Sequence, residues 1–179
     1  MLKKYASLKN IKILLVISLV VYLFIFPILI YFMKAEHMIL DLRFSYNESD
    51  VKLLFKELTE NNTLTLYKYT ILLVDIIYPI IYTLLLMFII EYLVKKNGIK
   101  NFIKFIVFLP IPILFFDYLE NYNTLNMMNS YLNNPNFHDH QAFFGSNFSS
   151  CKWIFVMINF TLIAVLFIIP KTKKSSQKI

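Results

Sequence analysis

The stretch that decides the fold class covers residues 13–33 and reads ILLVISLVVYLFIFPILIYFM. It contains no charged side chain, and only Ser18, Tyr22 and Pro27 interrupt its aliphatic and aromatic character. A helix that crosses a bilayer needs about 20 mostly apolar residues, so this run is long enough to span a membrane. It is too long for the core of a signal peptide, and no small-residue cleavage site follows it. We therefore expect residues 13–33 to form a transmembrane helix.

Three more apolar runs follow, and they cover about residues 69–93, 102–122 and 153–169. The whole chain of 179 residues is 58% hydrophobic, an excess over soluble domains that indicates a lipid environment. Pro79 lies within the second run, and Pro110 and Pro112 within the third, so we expect kinks there. The sequence predicts an all-α polytopic membrane protein, with residues 1–179 as a single membrane domain that forms a four-transmembrane-helix bundle.

The composition excludes several kinds of site and partner. Two glycines are too few for a Gly-rich phosphate loop, and the single cysteine, Cys151, excludes an intrachain disulfide and dithiol chemistry. The formal net charge is +7, but the lysines flank apolar runs, so membrane orientation explains them and nucleic acid is not an expected partner. No cofactor is expected. The expected partners are the lipid bilayer and either another membrane protein or further copies of this chain.

The distribution of lysines predicts the orientation in the membrane. One side holds twelve basic residues, namely Lys3, Lys4, Lys9, Lys12, Lys95, Lys96, Lys100, Lys104, Lys171, Lys173, Lys174 and Lys178. The only acid on that side is Glu91. Because Lys and Arg concentrate in cytoplasmic loops, we expect a multi-pass cell-membrane protein with both termini in the cytoplasm. The cytoplasmic loop is then 94–101, the cytoplasmic tail is 170–179, and the outer loops are 34–68 and 123–152.

The first outer loop contains a helical pattern. Its apolar side chains recur at i, i+3, i+4 and i+7, and they are Val51, Leu54, Phe55 and Leu58. Ser45 and Glu48 precede them with the spacing of a capping box. We expect a short amphipathic helix over about residues 50–60, which either lies on the membrane surface, caps the bundle or docks a partner.

The second outer loop, residues 123–152, is rich in Asn and Ser and predicts irregular structure. His138 and His140 lie in it, but a His-x-His pair in a loop is weak evidence for a metal, and we predict no metal site from it. Glycosylation sequons on the expected outer side begin at Asn47, Asn61 and Asn147.

Two spans carry an acidic side chain, which is costly inside a bilayer and is therefore a functional hypothesis by default. At about 1.5 Å per residue, Asp75 lies roughly 10 Å below the outer end of the second span. By the same rise, Asp117 lies about 20 Å above the inner end of the third span, in a core about 30 Å thick. The two aspartates therefore reach a similar depth in the outer leaflet.

Each aspartate shares its helix face with other polar side chains, and the two faces together predict one polar pocket that opens outward. The candidate catalytic residues are Asp75, Asp117 and Glu120, and the candidate ligand-binding residues are Tyr78, Asn121, Lys152 and Arg43. Lys152 and Arg43 are the expected counter-charges. The alternative is structural, with the acids pairing with these cations and tying the helices together.

Four motifs occur in a characteristic order along the chain. They are Leu40-Asp41 with Phe44-Ser45-Tyr46, then Asp75-Ile76-Ile77-Tyr78-Pro79, then Phe116-Asp117-Tyr118-Leu119-Glu120-Asn121, then Lys152-Trp153. This order resembles a family of small four-helix bacterial membrane proteins, and the similarity extends over most of the chain. The resemblance implies the four-helix architecture and no catalytic activity. It adds Asp41 to the candidate ligand-binding residues.

Three hypotheses about function follow. In the first, the chain is a membrane protein whose polar pocket binds a lipid-like or small ligand or a partner. In the second, it is a small intramembrane enzyme that uses paired carboxylates for acid–base chemistry on a lipid-like substrate. In the third, it is an ion- or proton-coupled transporter that works as an oligomer. The sequence leaves open whether the chain is an enzyme.

Overall fold

The computed structural model describes residues 5–35, 39–99, 101–134 and 140–169, with only the backbone described for 101–104. Within these ranges the chain is helical and contains no strand, which confirms the all-α prediction. In chain order the helices are α1 (Leu8–Met33), α2 (Glu48–Glu60), α3 (Leu64–Lys96), α4 (Phe105–Asn133) and α5 (His140–Ile168). A 3-10 turn, Leu40–Leu42, lies between α1 and α2.

Helices α1, α3, α4 and α5 are each long and apolar enough to cross a membrane. The chain is therefore a multi-pass membrane protein built as a four-helix bundle, as the hydropathy pattern predicts. The most extensive contact is between α4 and α5, and α3 packs against both of them. Helix α1 packs along α3 and leaves most of its apolar side chains exposed, as expected for a lipid-facing helix.

The prediction of irregular structure over residues 123–152 is wrong for the described part of that segment. Helix α4 continues to Asn133, and α5 already begins at His140. The reason is a second apolar stripe in the Asn-rich stretch. Met127, Met128 and Tyr131 are buried at helical spacing, so this last part of α4 gains packing that its polar composition hides.

Two of the helices widen into π-helical segments close to a proline. In α1 this segment is Val21–Ile25, just before Pro27. In α3 it is Thr70–Val74, which ends five residues before Pro79. Proline has no N–H to donate and its ring crowds the preceding turn, so a local change in helical pitch accommodates it.

The prolines of the third span act differently from the expectation of a kink inside it. A 3-10 segment, Asn101–Phe108, comes first, and the α-helix Ile111–Asn133 begins only after Pro110. Pro112 occupies the first turn of that helix, where a missing N–H has no intrahelical partner to lose. The proline pair therefore starts the α-helical part of α4.

The amphipathic helix of the first loop is confirmed as α2, but its cap is not the predicted Ser45–Glu48 pair. Asn47 is the N-cap, and its side-chain oxygen accepts the N–H of Asp50 at 3.0 Å. In return, Oδ2 of Asp50 accepts the N–H of Asn47 at 2.9 Å. Asp50 thus performs the role that Glu has in the usual capping box, two residues later than expected.

Helix α2 caps the bundle. The side chains of its stripe, Val51, Leu54, Phe55 and Leu58, are fully buried. They pack in one apolar cluster with Met33 at the end of α1, Tyr67 in α3 and Tyr131 in α4. We call this cluster the α2-side core.

A second apolar cluster lies toward the other end of the bundle, and we call it the opposite core. It contains Ile90, Leu93 and Val94 of α3, together with Val107 and Leu166. Between the two cores, α3, α4 and α5 each contribute buried polar side chains at the same level. This level, which we call the polar layer, contains the buried acids predicted from the sequence.

Candidate functional site

Lys152 of α5 is the centre of the polar layer. Its Nζ lies 2.6 Å from Oε2 of Glu120 and 3.2 Å from Oδ1 of Asp117, and it donates to the carbonyl oxygen of Asp41 at 3.1 Å. An ammonium has three N–H donors, and these three acceptors match them. Lys152 is 5% exposed, so it is a buried and fully partnered cation.

The predicted polar face of α4 is confirmed. Asp117, Glu120, Asn121 and Thr124 follow one another at i, i+3, i+4 and i+7, and all four are buried. Because α4 makes its most extensive contact with α5, this face meets Lys152. We call Lys152, Asp117 and Glu120 the paired half of the polar layer.

Asp75 of α3 lies on the other side of the same layer and is 6% exposed. Its Oδ2 is buried and has no hydrogen-bond partner among the described residues. The charged groups that act on it are Asp41, Asp117, Lys152 and Glu120. The structure therefore brings together the two aspartates that sequence depth placed at one level. We call Asp75, Asp41 and Asn121 the open half of the layer.

Two hydrogen bonds from α4 fasten this part of α3. Nδ2 of Asn121 donates to the carbonyl oxygen of Asp75 at 3.1 Å, and the hydroxyl of Tyr118 donates to the carbonyl oxygen of Ile76 at 2.7 Å. The Asp75 carbonyl is four residues before Pro79, which has no N–H to offer it. Asn121 thus supplies the donor that the proline removes, and the proline creates an acceptor that fixes Asn121 beside Asp75.

Residues 40–46, which we call the strap, lie along α5 beside the polar layer. The carbonyl oxygen of Arg43 accepts from Ser149 Oγ at 2.5 Å and from Trp153 Nε1 at 3.0 Å. Ser150 Oγ donates to the carbonyl of Phe44 at 2.9 Å. These bonds hold the strap where its Asp41 carbonyl reaches Lys152.

The serine hydroxyls that bond to the strap are not among the residues predicted from the sequence. The strap's last residue, Tyr46, donates its N–H to Ser146 Oγ at 3.0 Å. The holding residues Ser146, Ser149, Ser150 and Trp153 recur at i, i+3, i+4 and i+7 of α5. This spacing indicates one polar face of a helix, but it has that meaning only if the segment is helical, and we predicted an irregular loop there.

Gly145 permits the close approach of the strap to α5. A Cβ at this position meets the hydroxyl of Tyr46 and Nδ2 of Asn123 at less than van der Waals distance. Asn123 is itself held by a bond from its Nδ2 to the carbonyl oxygen of Gln141 at 2.8 Å. A larger residue here would have to displace the ends of these two side chains.

Asp41 is the acid that the strap carries into the layer. Both of its carboxylate oxygens are buried, without a described partner in standard hydrogen-bond geometry, although the Tyr67 hydroxyl lies near enough to favour the charged form. Burial raises the pKa of Asp41 above its ordinary value, and the charge of Lys152 partly offsets this. Burial raises the pKa of Tyr46 as well, and the negative charges of the nearby Glu120 and Asp41 carboxylates raise it further.

The sequence predicts Arg43 as a second counter-charge of the buried acids. Its guanidinium forms an ion pair with Asp50 at the start of α2, at 3.0 Å between Nη1 and Oδ1. The course of the strap explains this pair. Its backbone turns toward α5, while the Arg43 side chain extends to the N-terminal turn of α2, where acidic groups are favoured by the helix dipole.

Tyr78 lies at the margin of the layer. Its ring contacts Phe26 of α1 and Tyr82 one turn later, edge to face, at 5.3 and 5.2 Å between ring centroids. Tyr82, which the helical spacing places on the same face as Asp75 and Tyr78, has its hydroxyl beside the Asp117 carboxyl. Tyr78 therefore connects α1 to α3, and Tyr82 contacts the paired half.

Of the two histidines weighed as metal ligands, only His140 has a described position. His140 is the exposed first residue of α5, and His138 lies outside the described residues. Among the residues with described positions, no group of three or more His, Cys, Asp or Glu side chains has an arrangement suited to a metal ion.

The charge of the layer defines its chemistry. The layer contains four carboxyl groups (Asp41, Asp75, Asp117 and Glu120) and the ammonium of Lys152, so full ionisation leaves a net charge of −3. A net charge of this size is strongly unfavourable in a low-dielectric interior unless protons or another cation neutralise it. The layer can therefore hold protons, or it can accept hydrogen-bond donors from a ligand.

Comparison with models of protein families finds no match to this chain, and comparisons with curated protein sequences and with solved structures find none either.

Proposed function

We propose that this chain is a protein of the cell membrane, with both chain ends in the cytoplasm, that binds a small or lipid-like ligand in its polar layer. The open half supplies the ligand contacts, through Asp75, Asn121 and Asp41. The paired half gives the layer a fixed frame, because Lys152 joins α4, α5 and the strap. The proposal makes binding, rather than helix association alone, the reason for the buried acids.

One observation carries the proposal. Oδ2 of Asp75, Oε1 of Glu120 and Oδ1 of Asn121 are buried acceptors without a described partner. Leaving a buried polar group unsatisfied costs about 1–3 kcal/mol, and more if it is charged. A purely structural network gains nothing from such groups, whereas a binding site needs acceptors that stay available.

The layer is covered on the side of α2, so the ligand needs a route of entry. The cover consists of the α2-side core and the strap. The strap is held to α5 by a small set of hydrogen bonds rather than by a helix of its own. We therefore assign entry to the outer side, by displacement of the strap.

Native purification in a mild detergent, followed by mass spectrometry of bound molecules, tests the proposal. The wild-type protein is expected to carry a recurring bound molecule, and Asp75→Asn is expected to lose most of it while retaining its helical content. Glu60→Gln is the matched control, because Glu60 is an exposed acid at the end of α2. Equal recovery of bound molecules in all three proteins, or none in the wild type, argues for a structural role.

A second candidate function is acid–base chemistry on a lipid-like substrate. It is favoured by the different surroundings of the two aspartates, since Asp117 pairs with Lys152 whereas Asp75 Oδ2 has no described partner. Carboxyls in contrasting environments are the usual basis of an acid and base pair. Under this hypothesis Asp75→Asn abolishes conversion of the bound molecule without releasing it, which distinguishes it from binding alone.

The proposed orientation rests on the lysine distribution and has its own test. In a Cys151→Ser background, Lys56→Cys on α2 and Lys95→Cys at the end of α3 provide exposed positions at opposite ends of the bundle. A membrane-impermeant thiol reagent applied to whole cells is expected to label the first and to label the second only after permeabilisation. The reverse pattern refutes the orientation.

A further inference from the structure

The paired half shows how the polar layer binds a primary ammonium group. Nζ of Lys152 is surrounded by Oε2 of Glu120, Oδ1 of Asp117 and the carbonyl oxygen of Asp41, at 2.6 to 3.2 Å. The acceptors come from α4 and from the strap, so each N–H has a partner in a different direction. The set of acceptors that binds an ammonium in this layer is therefore two carboxylates and one neutral carbonyl.

The open half repeats this chemistry without a cation of its own. Its Asp75 Oδ2 faces no described donor, and neither does Oε1 of Glu120, which the paired half contributes; these residues are 6% and 0% exposed. A neutral acceptor stands with them, namely Oδ1 of Asn121, whose residue is 5% exposed and likewise has no described partner for that atom. Two carboxylates and one amide oxygen thus match the acceptor set around Lys152.

Asn121 is evidence for a ligand that is independent of the acids. Its Nδ2 is committed to the Asp75 carbonyl, which fixes the amide in the layer and leaves Oδ1 directed away from that bond. A buried amide oxygen carries no charge that a proton can neutralise. A protonated carboxyl offers a single O–H, whereas an ammonium offers three N–H donors, enough for this amide oxygen and for both carboxylate oxygens.

The charge balance points to a cationic donor. Asp75 interacts with Asp41, Asp117 and Glu120 as well as with Lys152, so the layer has three more carboxyls than cations among its described residues. The described groups do not have an arrangement that holds a metal ion. An ammonium instead needs several oxygen acceptors at about 2.7–3.2 Å, and the layer has unpartnered oxygens on α3, α4 and the strap.

We propose that the ligand of the polar layer carries a primary ammonium group, which binds beside Asp75 and Asn121. This inference rests on the proposed binding function and names the class of ligand. A water-soluble primary amine and the headgroup of phosphatidylethanolamine carry the same ammonium, so the experiment treats them as separate arms.

Trp153 makes the test direct. It is the only tryptophan of the chain, it follows Lys152, and its indole N–H bonds to the strap. Detergent-purified protein is titrated with ethylammonium chloride while tryptophan fluorescence is recorded. The expected result is a saturable change that tetramethylammonium chloride, which has no N–H donor, and sodium chloride do not produce.

Variants link the response to the site. Asp75→Asn and Asn121→Ala are each expected to weaken ethylammonium binding by about tenfold, since each removes a hydrogen-bond acceptor of the ammonium. Glu60→Gln is expected to bind as the wild type does. In the lipid arm, nanodiscs of phosphatidylethanolamine are expected to give the same fluorescence state without added amine, and nanodiscs of phosphatidylcholine are not.

The outcomes separate this inference from the proposed function. An equal response to sodium or tetramethylammonium, or no saturable response in either arm from folded protein, overturns the ammonium. If the mass spectrum then shows a recurring ligand without an amine, binding stands and only the ligand class is wrong. If it shows no ligand, both proposals fail.

Discussion

The two halves of the polar layer contain the same acidic chemistry but differ in how it is compensated. In the paired half, Lys152 faces Asp117 and Glu120 at ion-pair distance. In the open half, Asp75 and Asp41 bring carboxylate oxygens that have no described partner in standard geometry. The difference shows that burying an acid has two different consequences in this bundle. In the paired half the acids have an ion-pair partner, whereas in the open half buried acceptors without a described partner lower stability, a cost that our proposal attributes to ligand binding.

The largest effect is expected where the paired half loses its cation. Lys152→Met leaves Asp117 and Glu120 buried without a counter-charge, and should lower the free energy of unfolding by about 3–5 kcal/mol. Unfolding by sodium dodecyl sulfate, followed by circular dichroism, measures the loss. Lys152→Arg, which keeps the charge, should recover most of it.

The matched control for that variant is Lys56→Met. Lys56 is 67% exposed and lies 3.9 Å from Glu60, so its ion pair is screened by solvent. A change within about 0.5 kcal/mol is expected. If Lys152→Met has no larger effect than this control, the paired half is not a stabilising element.

A smaller effect is expected for Glu120→Gln, at about 2 kcal/mol, because it weakens a charge-assisted hydrogen bond without removing the cation. Asp117→Asn should cost less, since its oxygen lies farther from Nζ, at 3.2 Å against 2.6 Å. In a Lys152→Met background, Glu120→Gln should cost nothing or restore stability, because it then removes an unpaired charge. Additive losses in the double variant contradict this account.

The backbone contact between α4 and α3 within the open half is expected to contribute about 1 kcal/mol, the usual size of a polar contact between membrane helices. Asn121→Ala removes the donor to the Asp75 carbonyl, which Pro79 leaves without its helical partner. In a Pro79→Ala background the helix supplies its own N–H, so Asn121→Ala should then cost much less. A double-mutant cycle of unfolding free energies measures this coupling, and equal losses in both backgrounds exclude it.

The smallest effect on stability is expected in the open half. Asp75→Asn removes a buried carboxylate without breaking an ion pair, so stability should stay within about 0.5 kcal/mol or increase. The measurement is the same unfolding titration, in the absence of added amine. A loss as large as that of Glu120→Gln erases the distinction between the halves.

Much of the bundle was predictable because its physics is local. A run of apolar residues such as 13–33 crosses a bilayer whatever its neighbours do, since backbone groups in lipid must bond within their own helix. The stripe Val51–Leu58 forms a helix for a comparable reason, because its period matches one face. The face from Asp117 to Thr124 followed from the same spacing, and its burial is confirmed.

The features that we did not predict depend on contacts between distant parts of the chain, which the spacing of residues does not reveal. The Asn- and Ser-rich segment before Lys152 has the composition of a loop, but Ser146, Ser149 and Ser150 bond to the strap and belong to a helix. The ion pair of Arg43 with Asp50 was also missed, because it depends on the path of the strap. In both cases the partner is about a hundred residues away or lies on a separate element.

The sequence by itself determined that this protein has four membrane-spanning helices and that Asp75 and Asp117 reach a similar depth. Helical rise and the thickness of a bilayer are constants, so counting residues is enough for both conclusions. Only the tertiary structure decided which acids pair with Lys152, because that choice depends on how α4, α5 and the strap pack around it. The same packing leaves Asp75 and Asn121 with buried acceptors that have no described partner, and this divides the buried acids into two unlike halves.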